Sequence, residues 1–283
     1  GANALAAATT ATSNTAIGYD SQKLTTTGSN NTSVGQNSMD ANTTGASNAA
    51  VGSGALGGNT TGDYNTAVGK DALKANTTAD NNTAVGYLAL TANTTGHSNV
   101  AIGVYALDSN TTGIKNIAIG VNCLDLNTTG QYNTAVGHQS MYANTTGEYN
   151  TAVGLGALDA NTTADNNTAI GYTALSANTT GTENSAGGGY ALASCTTGSY
   201  NTAFGYSSLG SNTASNNTGF GYRALGANTT GADNTSVGYN SLRLNTTGNY
   251  NTAVGNSASY SNTTASKSVA IGYYALLSAT TGG

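Results

Sequence analysis

Asn65-Thr66-Ala67-Val68-Gly69-Lys70-Asp71-Ala72-Leu73-Lys74-Ala75-Asn76-Thr77-Thr78-Ala79 is the stretch that decides the fold, because the same pattern returns at Gly86 and keeps returning. With the glycine that closes Asn-Thr-Ala-Val-Gly as marker, the copies run from Gly1 and Gly18 to Gly255 and Gly272. Each step is 17 residues except Gly205 to Gly221, where Asn212-Thr213-Ala214 has lost one. Self-similarity at a short fixed period is the signature of a solenoid. It makes residues 1–283 one elongated repeat domain of about seventeen coils, where length alone would allow one or two ordinary domains. The chain opens on a marker and closes in Thr280-Thr281-Gly282-Gly283, without the polar end repeats of a free-standing solenoid. An uncapped segment of a longer fibre, or a unit joined end to end, is therefore expected.

The columns predict strands. Before the marker stands an apolar residue (Val68, Val85, Ile102, Ile119, Phe204), and two places earlier a Thr that gives way to Val100, Ile117 or Val269. A small residue such as Ala67 or Ser236 lies between them. Alternation with period 2 means a strand, with Val and Thr expected inward and the alanine column outward. Leu73, Leu90, Met141 and Leu225, each with a small residue two places on, predict a second strand. Helix is disfavoured, since Gly, Asn and Thr are poor helix formers. The expected fold is all-β: a parallel β-solenoid or β-roll of 17-residue coils, two short strands each. Glycines at the marker and in Thr-Thr-Gly would supply positive φ at the turns. Coils stacked ~4.8 Å apart turn each asparagine column into a ladder.

Charged residues make up 7% of the chain, the net charge is −5, and Pro and Trp are absent. There is no basic patch for nucleic acid and no apolar run approaching the ~18 residues of a membrane span. Cys123 and Cys195 lie four repeats apart at different offsets, roughly 19 Å at ~4.8 Å per coil, so they cannot pair within the chain.

Ser268-Val269-Ala270-Ile271-Gly272 and Asn99-Val100-Ala101-Ile102-Gly103 resemble the head repeat of YadA-like trimeric autotransporter adhesins. The longer form, Asn-Thr-Ala-Val-Gly-Tyr-x-Ala-Leu-x-x-Asn-Thr-Thr-Gly, is similar to repeats of phage tail-fibre proteins. The resemblance implies a left-handed roll, three chains side by side, and an extracellular place on a cell or virion surface. The repeat here is longer than the adhesin one.

No catalytic constellation can be named, so an enzyme is rejected and no cofactor is expected. His97 and His138 sit at different offsets without matching partners, and Gly187-Gly188-Gly189 is followed by no helix that would make it a phosphate loop. Asp63, Asp80, Glu148 and Asp165 recur in one turn, where a solvated role outweighs calcium binding. Three repeated features invite a functional reading. Asn-Thr-Thr is a glycosylation sequon at Asn42, Asn59, Asn76, Asn93, Asn110, Asn127, Asn144, Asn161, Asn178, Asn228, Asn245 and Asn262, with a structural ladder as the alternative. Threonine recurs in rows, as in many antifreeze proteins. Tyrosine recurs after the marker at Tyr19, Tyr87, Tyr172, Tyr206, Tyr222, Tyr239 and Tyr273, and before it at Tyr64, Tyr132, Tyr149, Tyr200 and Tyr250. Such rows suit sugar or protein contacts, with stacked rings that stabilise a turn as the equal alternative. The leading expectation is a structural fibre or adhesin segment, a rod of roughly 80 Å at ~4.8 Å per coil. It would associate with itself as a homotrimer or end-to-end filament and touch glycans or a host surface. The alternative is an ice-binding solenoid. Trimer contacts are expected on the small-residue column of Ala67, Ala84, Ala101 and Ala118.

Overall fold

The computed structural model describes residues 1–278, so the closing Thr280–Gly283 lies outside the described residues. The chain forms two compact units, one from Gly1 to Thr146 and one from Gly147 onward. In the first, eight three-residue strands follow one another: β1 (Thr15–Ile17), β2 (Thr32–Val34), β3 (Ala49–Val51), β4 (Thr66–Val68), β5 (Thr83–Val85), β6 (Val100–Ile102), β7 (Ile117–Ile119) and β8 (Thr134–Val136). The second carries β9 (Thr151–Val153), β10 (Thr168–Ile170), β11 (Ser185–Gly187), β12 (Thr202–Phe204), β13 (Thr218–Phe220), β14 (Thr235–Val237), β15 (Thr252–Val254) and β16 (Val269–Ile271). Inside each unit neighbouring strands pair parallel and column on column, as in Thr66↔Thr83, Ala67↔Ala84 and Val68↔Val85. The fold is an all-β parallel solenoid with a repeat of about 17 residues, and the described residues contain no helix.

Three expectations about the coil need correction. The first concerns the faces of the strand. Ala67, Ala84, Ala101 and Ala118 are fully buried, whereas Val68, Ile102 and Ile119 point outward and are exposed. The alanine column therefore lines the coil's own interior and offers nothing to a neighbouring chain. Its partner is the column that holds Ala72. Where serine fills both places the two touch directly: Ser33 Oγ donates to Ser38 O at 2.9 Å, and the Ser236 and Ser241 hydroxyls hydrogen-bond each other. A cross-section this narrow admits only small side chains at that crossing, and Cys123 takes such a place, fully buried.

The second correction is that each coil has one strand, not two. The stretch after the marker is a series of turns in which alternate residues are left-handed, Asp71 at φ 56° and Leu73 at φ 54°. Its amides still ladder, but in both directions: Asp71 N donates back to Ser53 O at 2.9 Å, and Leu73 N forward to Ala89 O at 3.0 Å. Inward side chains are consequently adjacent, Ala72 and Leu73, while Ala75 is only half-buried. A left-handed leucine costs about 1–2 kcal/mol. Full burial of the side chain returns about 1.5–3 kcal/mol, which is how the column of Leu56, Leu73, Leu90, Leu107 and Leu124 holds that conformation with no exposure.

The marker glycines behave as expected, with Gly69 at φ 136°. The Thr-Thr-Gly glycines do not: Gly62 and Gly96 are not in the positive-φ region. They are sites of close approach, for a Cβ on Gly62 would lie 2.4 Å from Ala79 O. The shortened repeat is absorbed in that same turn. Asn212 Nδ2 reaches Ala214 O at 2.8 Å, two residues ahead instead of three, and β12 and β13 stay in register at Thr202↔Thr218.

Candidate functional surfaces

Both asparagine columns are internal ladders. In one, Asn76 Nδ2 donates to Asn59 Oδ1 at 2.9 Å and to Ala79 O at 3.0 Å. In the other, Asn65 Oδ1 accepts from Asn82 N at 3.0 Å while Asn82 Nδ2 donates to Gly96 O at 2.9 Å. The twelve sequon residues Asn42, Asn59, Asn76, Asn93, Asn110, Asn127, Asn144, Asn161, Asn178, Asn228, Asn245 and Asn262 are all buried. Glycan attachment needs Nδ2 free and facing solvent, so the folded coil does not present these asparagines for modification. The ladder alternative is the one the geometry supports.

The ladder also explains an odd residue. Cys195 occupies an asparagine place, its thiol pushed up to about 11 by burial. Its sulfur donates weakly to Gly198 O at 3.4 Å, accepts from Asn201 Nδ2 at 4.0 Å, and donates nothing to the coil before it. Asn178 Oδ1, one coil earlier, is buried with no hydrogen-bond partner. An unsatisfied buried acceptor costs about 1–3 kcal/mol. Cys195→Asn should therefore stabilise the chain by about 1–2 kcal/mol, read as a higher thermal midpoint. An unchanged or lower midpoint would show that the gap is satisfied some other way.

Threonine is also committed. Thr77 Oγ1 donates to Thr94 O at 3.2 Å, Thr94 Oγ1 to Thr111 O at 3.0 Å, and Thr111 Oγ1 to Thr128 O at 3.1 Å. The acidic turn residues are more than solvated. Asp63 Oδ1 accepts from Ala46 N, and Asp80 Oδ1 from Asp63 N, each at 2.7 Å, which caps the amide of the preceding coil.

The tyrosines stand outside as the sequence implied, with Tyr19, Tyr87, Tyr172, Tyr206, Tyr222, Tyr239 and Tyr273 all exposed. Within the second unit Tyr206, Tyr222 and Tyr239 stack with centroids 5.7 and 5.3 Å apart, beside a Phe204–Phe220 stack at 5.4 Å. Tyr190, which no column singled out, stands edge-on between Tyr172 and Tyr206 at 5.2 and 5.6 Å. Gly187 and Gly189 make room for this cluster. A Cβ on Gly187 would sit 2.4 Å from Phe204 Cδ1. The outward Val/Ile/Phe column and the tyrosines thus form an apolar and aromatic strip along the strand face.

Two further features were missed in the sequence. One is a stacked acidic pair: burial first, then the charge of Asp108, push the Asp125 carboxyl up to about 6. A group whose folded pKa exceeds the ~3.9 of an unfolded aspartate favours folding below that value, and the benefit is lost as pH rises through about 6. The urea midpoint should therefore fall between pH 4 and pH 7. Asp125→Asn should flatten much of that slope and add about 1 kcal/mol at pH 7, discounted for partial exposure. A pH profile identical in the variant would refute the assignment.

The other is a cleft in the first unit, about 780 Å³ in volume, over the coil that reads Gly52-Ser53-Gly54-Ala55-Leu56-Gly57-Gly58. The signal was present as a glycine run in columns that elsewhere carry side chains. Among the described residues there is no cluster of three or more metal-ligating side chains, and no helix is long and apolar enough to cross a membrane. No protein-family model matches the chain, and no curated protein matches it.

Proposed function

We propose that this chain is a non-enzymatic segment of an extracellular fibre or adhesin, on a cell or virion surface, whose primary work is stiff spacing. The observation that supports this most is the direction of the hydrogen bonds. Asparagine, threonine and backbone groups reach from coil to coil, so the polar interior is spent on coupling each repeat to the next. Pulling the full chain from its ends should extend it in steps near one repeat of 17 residues, about 55–60 Å each at ~3.4 Å per residue. Stepless extension at low force would sink the reading.

Self-association belongs on the outward strip of Val68, Ile102, Ile119 and their equivalents, since exposed apolar faces of this kind mark contact sites. Three chains side by side is the number the adhesin-like repeats imply. Ile102→Glu with Ile119→Glu should release single chains in light scattering while leaving the circular dichroism unchanged. A monomeric unmodified chain would overturn the trimer. Exposed tyrosines are the groups offered to glycans or a host surface.

Ice binding is the second reading, and one observation favours it: the outward strand face carries rows of threonine beside rows of valine, as at Thr66 and Val68. Phe204, Phe220 and Gly187 interrupt those rows. Thermal hysteresis is therefore expected to be absent, and measured hysteresis would move the function to this reading.

A further inference from the structure

The cleft over Gly54, Gly57 and Gly58 has the features of a small-molecule site. The core of its coil is kept, with Ala55 and Leu56 fully buried, while the outer shell is stripped to backbone. Equivalent places carry Asn37, Asp40 and Ala41 in the coil before, and Asp71, Lys74 and Ala75 in the coil after. The resulting volume of about 780 Å³ lies within the ~300–1,000 Å³ of ordinary ligand pockets.

Its walls are specific. A Cβ on Gly54 would lie 2.4 Å from Asp71 Oδ1, and one on Gly57 would lie 3.4 Å from Asp40 Oδ1. Two carboxylates thus lean over a glycine floor from opposite sides. Lys74 pairs with Asp71 at 3.1 Å, and Lys70 also lines the cleft. Two carboxylates and two ammonium groups balance, so neither an anion nor a cation gains a net attraction. A neutral molecule with hydroxyls on two edges gains most. Its hydroxyls would donate to carboxylates, and such charge-assisted bonds are about twice as strong as neutral ones. Meanwhile its C–H face would rest on glycine backbone and the Ala41 and Ala75 methyls.

We propose that this cleft binds a neutral sugar unit of a polysaccharide. The inference does not depend on the spacer reading, because a chain that fails the pulling test could still bind sugar here, and the converse holds. The test titrates the full chain by NMR with the methyl glycosides of glucose, galactose, mannose and N-acetylglucosamine, each to about 20 mM, a range suited to millimolar affinities. At least one should bind saturably. Gly54→Asn fills the floor without straining the backbone, since Gly54 is at φ 67° and Asn37 takes the equivalent place at φ 54°. It should displace only the Asp71 side chain and keep the wild-type thermal midpoint or raise it. Binding should weaken at least tenfold in Gly54→Asn and in Asp40→Asn with Asp71→Asn. No saturable binding by any of the four glycosides, or binding unchanged in both variants, overturns the proposal.

Discussion

Gly120→Ala is expected to destabilise the first unit by roughly 3 kcal/mol or more, because two independent penalties fall on one methyl group. Gly120 is at φ 142°, a region that side-chain-bearing residues rarely enter. Its new Cβ would also stand 2.4 Å from the Gly137 carbonyl oxygen of the next coil, a backbone atom that cannot swing aside. That carbonyl belongs to another marker glycine, so relief at one coil shifts the next. Equilibrium denaturation should show a large drop in midpoint. The comparison is Leu126→Ala, whose side chain is exposed and whose loss should change stability by about 0.5 kcal/mol or less. A Gly120→Ala chain as stable as the parent would mean that the marker glycines are not needed for close stacking.

Ala118→Leu is the second large effect. Ala118 is fully buried in β7, paired in register with Ala101 below and Ala135 above. The small-residue column facing it holds Cys123, whose thiol contacts Ala135 O at 3.2 Å and is pushed up to about 12 by burial. Three added heavy atoms have no space in that crossing, and overpacking a tight core costs about 1–3 kcal/mol. Unfolding should therefore come at lower denaturant in a chain of any oligomeric state, and dilution should not alter the loss. A contact surface between chains would behave differently: Ala118→Leu would then lower the mass in light scattering and leave the single coil stack intact. Observing that pattern would restore alanine to the outside and refute the arrangement described above.

The two substitutions mark where sequence stops and tertiary structure begins. The 17-residue period, the absence of helix among the described residues, the parallel stacking, the burial of Leu73 and its column, and the regularity of both asparagine columns followed from the order of residues alone. A fixed repeat forces each residue onto its own copy, and that requires no knowledge of the coil's shape. The side of the strand that faces inward did not follow. Period 2 divides Thr66, Ala67 and Val68 into two faces without ranking them, and hydrophobicity favours valine inside. The interior admits only alanine, serine, glycine or cysteine where the strand meets the following turn, so the smaller residue goes in and the larger one out.

The turn after the marker was illegible for a related reason. Its spacing of apolar residues resembles a strand, and only the alternate left-handed φ at Asp71 and Leu73 reveals that the chain is winding tightly. Sequence likewise offered the Asn-Thr-Thr column as a modification site, since a sequon records identity and not burial. The structure adds burial and the ladder, in which the Asn76 amide nitrogen is held between Asn59 Oδ1 and the Ala79 carbonyl. The cleft over Gly54 was missed although its glycine run stood in the sequence, because its chemistry comes from the neighbouring coils. Stacking brings Asp40 and Asp71, 31 positions apart in the chain, to opposite edges of one glycine floor.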